Sequence, residues 1–122
     1  MPVRSLRSRV FRWPERDVVL AAARAWAADV ARHNPRVVRV VLFGSYAQGR
    51  AGVGSDLDLL VEIERSDESF VRRLAPASDV VLPVQADVLV LTSAELDDMR
   101  AARRRFVREL DGSGVALWQR PQ

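Results

Sequence analysis

The sequence predicts an α/β domain of the α+β type, with a small mixed sheet of about four strands flanked by helices. Three observations predict it. Aliphatic runs recur as VVRVVLF from Val37, SDLDLLVEI from Ser55 and LPVQADVLVLT from Leu82. Apolar residues at helical spacing fill the segment before the first run (Val19, Ala23, Trp26, Val30) and the segment after the third (Leu96, Met99, Phe106, Leu110). A length of 122 residues with 48% hydrophobic content suffices for one core. The expectation is therefore a single domain over 1–122, with 1–13 as an arginine-rich N-terminal arm and no room for a second domain.

The elements follow in order. Pro14 suits a first helical position, and the first helix runs until Asn34-Pro35 stops it, packing one face of the sheet. The strand from Val37 to Phe43 ends at Gly44-Ser45, where the backbone must turn sharply. SDLDLLVEI is the second strand. Asp67 can cap a short helix to about Leu74, limited by Pro76. LPVQADVLVLT holds the third strand. Thr92-Ser93-Ala94-Glu95 is a capping box that opens one longer helix carrying Leu96, Met99, Phe106 and Leu110. Asp111-Gly112-Ser113-Gly114 ends it, and Val115 to Trp118 reads as a short edge strand.

The chemistry sits between Leu42 and Val61. Gly44 can take positive φ and let an anion approach the main chain, while Ser45 offers a hydroxyl and opens a helical turn whose free N–H groups favour phosphate. Alone, Gly-Ser after a strand is most often only a turn. In the strand that follows, alternation puts Asp56, Asp58, Leu60 and Glu62 on one face and Leu57, Leu59, Val61 and Ile63 on the other. The second set reads as the core row, so the two aspartates point together to the opposite side. Like charges that close repel unless a cation lies between them, and a divalent metal accounts for the pair. The bland alternative is a turn-capping Asp56 and a solvated Asp58. Asp87 is the one acid embedded in another apolar run; buried there it requires a metal, an arginine or a hydrogen-bond donor. Without metal, the three aspartates should crowd one another and destabilise the domain slightly.

GS…G…SDLDLLV, the later strand aspartate and the small size resemble the minimal nucleotidyltransferases of the DNA polymerase β superfamily. The order of helices and strands agrees from about Asp17 to Trp118. The resemblance implies that Gly44 and Ser45 hold the β- and γ-phosphates of a nucleoside triphosphate, ATP above others, with Arg50 and Ser55 as further phosphate ligands. It implies that Asp56 and Asp58 bind two magnesium ions, and that Asp87 completes the metal site and assists deprotonation of the incoming hydroxyl. Members usually carry a basic residue shortly after the Gly-Ser, where this chain has Gln48; Arg50, two positions on, either supplies that charge or is a solvated loop arginine. Tyr46 and Gly49 read as structural.

Composition narrows partners. The net charge is +3, and all 19 basic residues are arginine. They cluster at Arg4, Arg7, Arg9 and Arg12 and at Arg103, Arg104 and Arg105, suited to RNA or an acidic protein face, although without interleaved aromatics a solvated face is the simpler reading and nucleic acid the less favoured partner. There are no cysteines, which fits a reducing cytoplasm. The lone His33 reads as a helix-end residue. Met1 to Trp13 lacks the apolar core of a secretory signal, and Ala21 to Ala31 is too short and charged to span a membrane.

Three functions of different classes follow. The first moves AMP or a similar group onto a hydroxyl of a partner protein; chains of this size resemble the antitoxin half of a pair with a HEPN-domain ribonuclease, where nucleotidylation of a toxin tyrosine silences it. The second is a binding antitoxin on the same fold, docking through a patch such as Trp118, Trp13 and Phe11. The third is a small-molecule or RNA nucleotidyltransferase, ranked last because such relatives generally need an extra domain. A homo- or hetero-oligomer fits the apolar residues near the ends.

Overall fold

The computed structural model describes residues 13–69, 73 and 76–122. Helix α1 spans Arg16–His33, strand β1 Val37–Phe43, the short helix α2 Gly44–Ala47, β2 Leu57–Ile63, β3 Ala86–Thr92, helices α3 Ser93–Ala101 and α4 Arg105–Ser113, and β4 Val115–Gln119. The four strands form one sheet in the order β3-β2-β1-β4, with β1 antiparallel to β2 and β4 and β2 parallel to β3. This is the small mixed sheet with flanking helices that the sequence predicts.

Alternation along the strands builds two cores, one on each face. Leu57, Leu59, Val61 and Ile63 join Val40 and Leu42 against Val19, Ala23, Trp26, Ala27 and Val30 of α1. On the other face Val41, Leu60 and Leu91 meet Leu96 of α3 and Val107 and Leu110 of α4. Among the described residues, α3 and α4 thus cover the part of this side that holds Val41, Leu60 and Leu91. Asn34 ends α1 as predicted, its amide oxygen accepting the Arg36 N–H at 3.1 Å. His33 sits at that end with Nδ1 3.0 Å from the Asp29 carbonyl. Asp29 itself is buried and holds the segment before β3, accepting from the Asp79 N–H at 2.9 Å and the Ser78 hydroxyl at 2.8 Å.

Four expectations need correction or fall outside the structure. α1 starts at Arg16 with Glu15 as its N-cap, so Pro14 lies just outside the helix rather than at its first position. The single long helix after Thr92 is two helices. The capping box is present, with the Thr92 hydroxyl accepting from Glu95 N–H at 3.1 Å and Glu95 accepting from Thr92 N–H at 2.8 Å, but Arg103 takes φ +56° and reverses the chain. A straight helix over residues 93–113 would be roughly 30 Å long, against roughly 23 Å for a seven-residue strand. Folding back keeps both apolar stripes on the sheet, and Arg100 locks the pair through two hydrogen bonds to Asp111, at 2.8 and 3.0 Å. The helix expected from Asp67 to Leu74 lies largely outside the described residues, and Asp67–Ser69 are not helical. Trp13 and Trp118 pack partly buried against the first core, while Phe11 and the arginines at 4, 7, 9 and 12 lie outside the described residues. No described helix is long and apolar enough to cross a membrane.

Candidate active site

Strand register lays the site out in rows across the α3–α4 face. Phe43 of β1 lies opposite Asp58 of β2, which lies beside Asp87 of β3. The next row is Val41, Leu60 and Leu89, and the next Arg39, Glu62 and Leu91. The same face therefore changes from carboxylate to apolar to a buried ion pair within five residues of β2. Arg39 Nε donates to Glu62 at 2.6 Å, and the other Glu62 oxygen accepts from Ser93 at 2.6 Å, so this third acid of the face is fully engaged in structure.

At the open end the backbone does what the Gly-Ser motif predicts. Gly44 has φ +74° and begins α2, whose first N–H groups are free of helical partners. A Cβ on Gly44 would lie 2.1 Å from Oδ2 of Asp58, so glycine is required both by the dihedral and by the carboxylate packed against it. The turn and the aspartate are thus one unit. Tyr46 is buried; its hydroxyl accepts from Trp13 Nε1 at 3.3 Å and its carbonyl from Arg16 at 3.1 Å, which fixes α2 to the start of α1. Gly49, at φ +72°, lets the chain leave. Ser55 closes the loop ahead of β2, accepting the Gly52 N–H at 2.9 Å.

Burial raises the Asp58 pKa, and the charges of Asp87, Asp56 and Glu109 raise it further. The crowding expected of a metal-free carboxylate cluster is therefore present. Asp87 differs from expectation: it is exposed at the start of an edge strand, so water solvates it and burial does not compel a partner. Among the described residues no arginine pairs with Asp56, Asp58 or Asp87. Among the described residues no group of three or more histidines, aspartates or glutamates is gathered so as to hold a metal ion by itself. The row is open and made of hard oxygen donors, the ligand type that cations such as magnesium take.

Sequence reasoning missed two residues here. Glu109 of α4 faces Asp58 closely enough to raise its pKa. Nothing in its local pattern marks it, because its direction depends on where α4 lies on the sheet. Gln48 stands where a basic residue is usual, and its side-chain oxygen accepts from Arg50 Nε at 2.8 Å and from Arg50 Nη2. Beyond the carboxylates on the same face lies a cavity of about 430 Å³ lined by Leu89, Leu91, Met99, Phe106 and Arg104. Phe106 stacks edge-on against Phe43 with ring centres 5.2 Å apart.

The nucleotidyltransferase domain family matches residues 25–111, which takes in the second half of α1, the Gly-Ser turn, all three aspartates and most of α4. The chain belongs to this family. In structure the nucleotidyltransferase-domain chain is similar to a protein from Sulfolobus solfataricus assigned as a nucleotidyltransferase, with TM-score 0.63 and 24% identity over 86% of this chain and 84% of that one. It is also similar to a chain of a toxin-antitoxin structure containing AMP-PNP, with TM-score 0.52 and 21% identity over 83% of this chain and 75% of that one. Both likenesses are of fold. No curated protein sequence matches the chain.

Proposed function

We propose that this nucleotidyltransferase domain transfers a nucleoside monophosphate, AMP from ATP, onto a hydroxyl of a partner protein, and that the partner is a HEPN-type toxin silenced by the modification. The observation that carries the transferase reading is the row Asp58–Asp87 set against Gly44, a carboxylate pair built into contact with an anion-binding turn. A domain that acted only by binding would gain nothing from so crowded a cluster. The fold likeness to a toxin-antitoxin chain supports a protein partner, and the AMP-PNP in that structure supports an adenine nucleotide.

In this reading the N–H groups of Gly44 and Ser45 hold the β- and γ-phosphates, with Ser55 and Arg50 beside them. Asp56, Asp58 and Asp87 hold two magnesium ions. Bound there, the ions neutralise phosphate charge and stabilise the entering and leaving oxygens of an in-line displacement. Asp87, exposed and at the edge of the sheet, receives the proton of the acceptor hydroxyl. That oxygen forms a bond to the α-phosphorus, the bond from the α-phosphorus to the bridging oxygen breaks, and pyrophosphate leaves. The open edge beside Asp87 gives a partner's side chain access that a buried carboxylate would deny.

The test uses ATP labelled at the α-phosphate, magnesium, the purified chain and a HEPN-type protein as acceptor, with Asp56→Ala as control. Label on that partner, lost in the variant, is the expected result. A tight complex that never acquires label would replace this reading with that of a binding antitoxin.

A further inference from the structure

We propose that Gln48 is a positioning residue that holds the Arg50 guanidinium for the β- and γ-phosphates of a nucleoside triphosphate on the Gly44-Ser45 turn; this rests on the reading of the site just given. A triphosphate brings several negative charges to a place already crowded by Asp56, Asp58, Asp87 and Glu109, so a side-chain cation is needed near the turn. Two nearby candidates are already used. Arg16 donates to the Tyr46 carbonyl, and Arg39 is paired with Glu62.

Arg50 is held in a different way. Its Nε and Nη2 both donate to one neutral amide oxygen, that of Gln48, and among the described residues no carboxylate pairs with it. A guanidinium clamped by an amide is oriented but keeps its full charge, whereas one clamped by a carboxylate is oriented and neutralised. The Nη1 edge is left for a ligand. An arginine already held also loses less freedom when it engages phosphate than one free in solvent.

The clamp is tied to the site from both ends. On the main chain, Gln48 N–H donates to the Gly44 carbonyl at 3.1 Å and Arg50 N–H to the Ser45 carbonyl at 2.9 Å, so both residues hang from the phosphate turn. On the side chain, Gln48 Nε2 donates to the Ser113 hydroxyl at 3.4 Å, and that hydroxyl donates to the Glu109 carbonyl at 3.1 Å. Ser113 and Glu109 lie one turn apart on α4, and Glu109 is the residue whose charge reaches Asp58. One helix face therefore references the clamp and the carboxylate together. Gly49 and the two main-chain bonds already shape this loop, so the side-chain contact is not needed to fold it.

The experiment titrates fluorescent analogues of ATP and AMP with magnesium against the wild type, Gln48→Ala, Arg50→Ala and the double variant, with circular dichroism to confirm folding. Gln48→Ala and Arg50→Ala should each weaken ATP binding by roughly tenfold, the double variant should be no weaker than Arg50→Ala, and AMP binding should not move. Gln48→Arg should restore ATP binding to Arg50→Ala by placing the cation at 48 directly, and Gln48→Glu should weaken ATP as Arg50→Ala does. Additive losses, equal losses for ATP and AMP, or no loss in Gln48→Ala would overturn the assignment. ATP failing to bind the wild type would overturn the site reading on which it stands.

Discussion

Asp58 carries the densest set of physical constraints in the chain. Burial and the charges of Asp87, Asp56 and Glu109 raise its pKa, and Gly44 is packed on its oxygen. A carboxyl with a raised folded-state pKa costs stability when ionised: the cost is absent below the ordinary value near 3.8 and grows as pH rises through the folded value. Asp58→Asn should therefore raise the metal-free melting temperature at neutral pH by roughly 2–5 °C, and magnesium should stabilise the wild type but not the variant; thermal melts with and without the ion check both. Gly44→Ala places a methyl at φ +74° and 2.1 Å from that carboxylate, and should cost about 1–3 kcal/mol in urea unfolding and lose nucleotide binding. The face of Asp58, which it shares with Leu60 and Glu62, was legible from alternation, whereas Asp56, expected in the same strand, lies just before β2 and is exposed. Glu109 and the Gln48 clamp were not legible, because each depends on how α4 lies across the sheet.

At the scale of elements, local signals were read well and chain reversals were not. The capping box at Thr92 and Glu95 follows from four consecutive residues and is present. Arg73 adds a bidentate contact, with Nη2 at 3.0 Å, and this, with the Thr92 bonds, holds the Glu95 carboxyl down to about 2. That stabilisation is complete above the ordinary value of 4.5 and is lost as pH falls toward 2. Glu95→Ala should cost about 1 kcal/mol at pH 7, and the difference from wild type should shrink on acidification, read from urea melts at pH 7 and pH 3. The break after Ala101 had no such signal. Arginine in the left-handed region gives no warning, whereas glycine would have; Arg103→Gly should accordingly stabilise the domain by about 1 kcal/mol.

For the whole molecule, strand positions and fold class were legible because buried strands are short apolar runs and their turns carry Gly, Ser, Asp or Pro. Sheet order was not legible: that β3 flanks β2 while β4 flanks β1 is decided by long-range pairing, and it is this order that brings Asp87 beside Asp58 and leaves it exposed at an edge. Among the described residues the fold thereby builds a core on each face of the sheet and sets a turn, three aspartates and a clamped arginine at one end of it. The central claim is that this end is a metal–nucleotide site. Its most direct test is a crystal grown with manganese and a non-hydrolysable ATP analogue. Anomalous signal is expected among Asp56, Asp58 and Asp87, with the terminal phosphates on the Gly44 and Ser45 N–H groups. Nucleotide and metal bound elsewhere, or a carboxylate row that takes no metal while the analogue is bound, would contradict it.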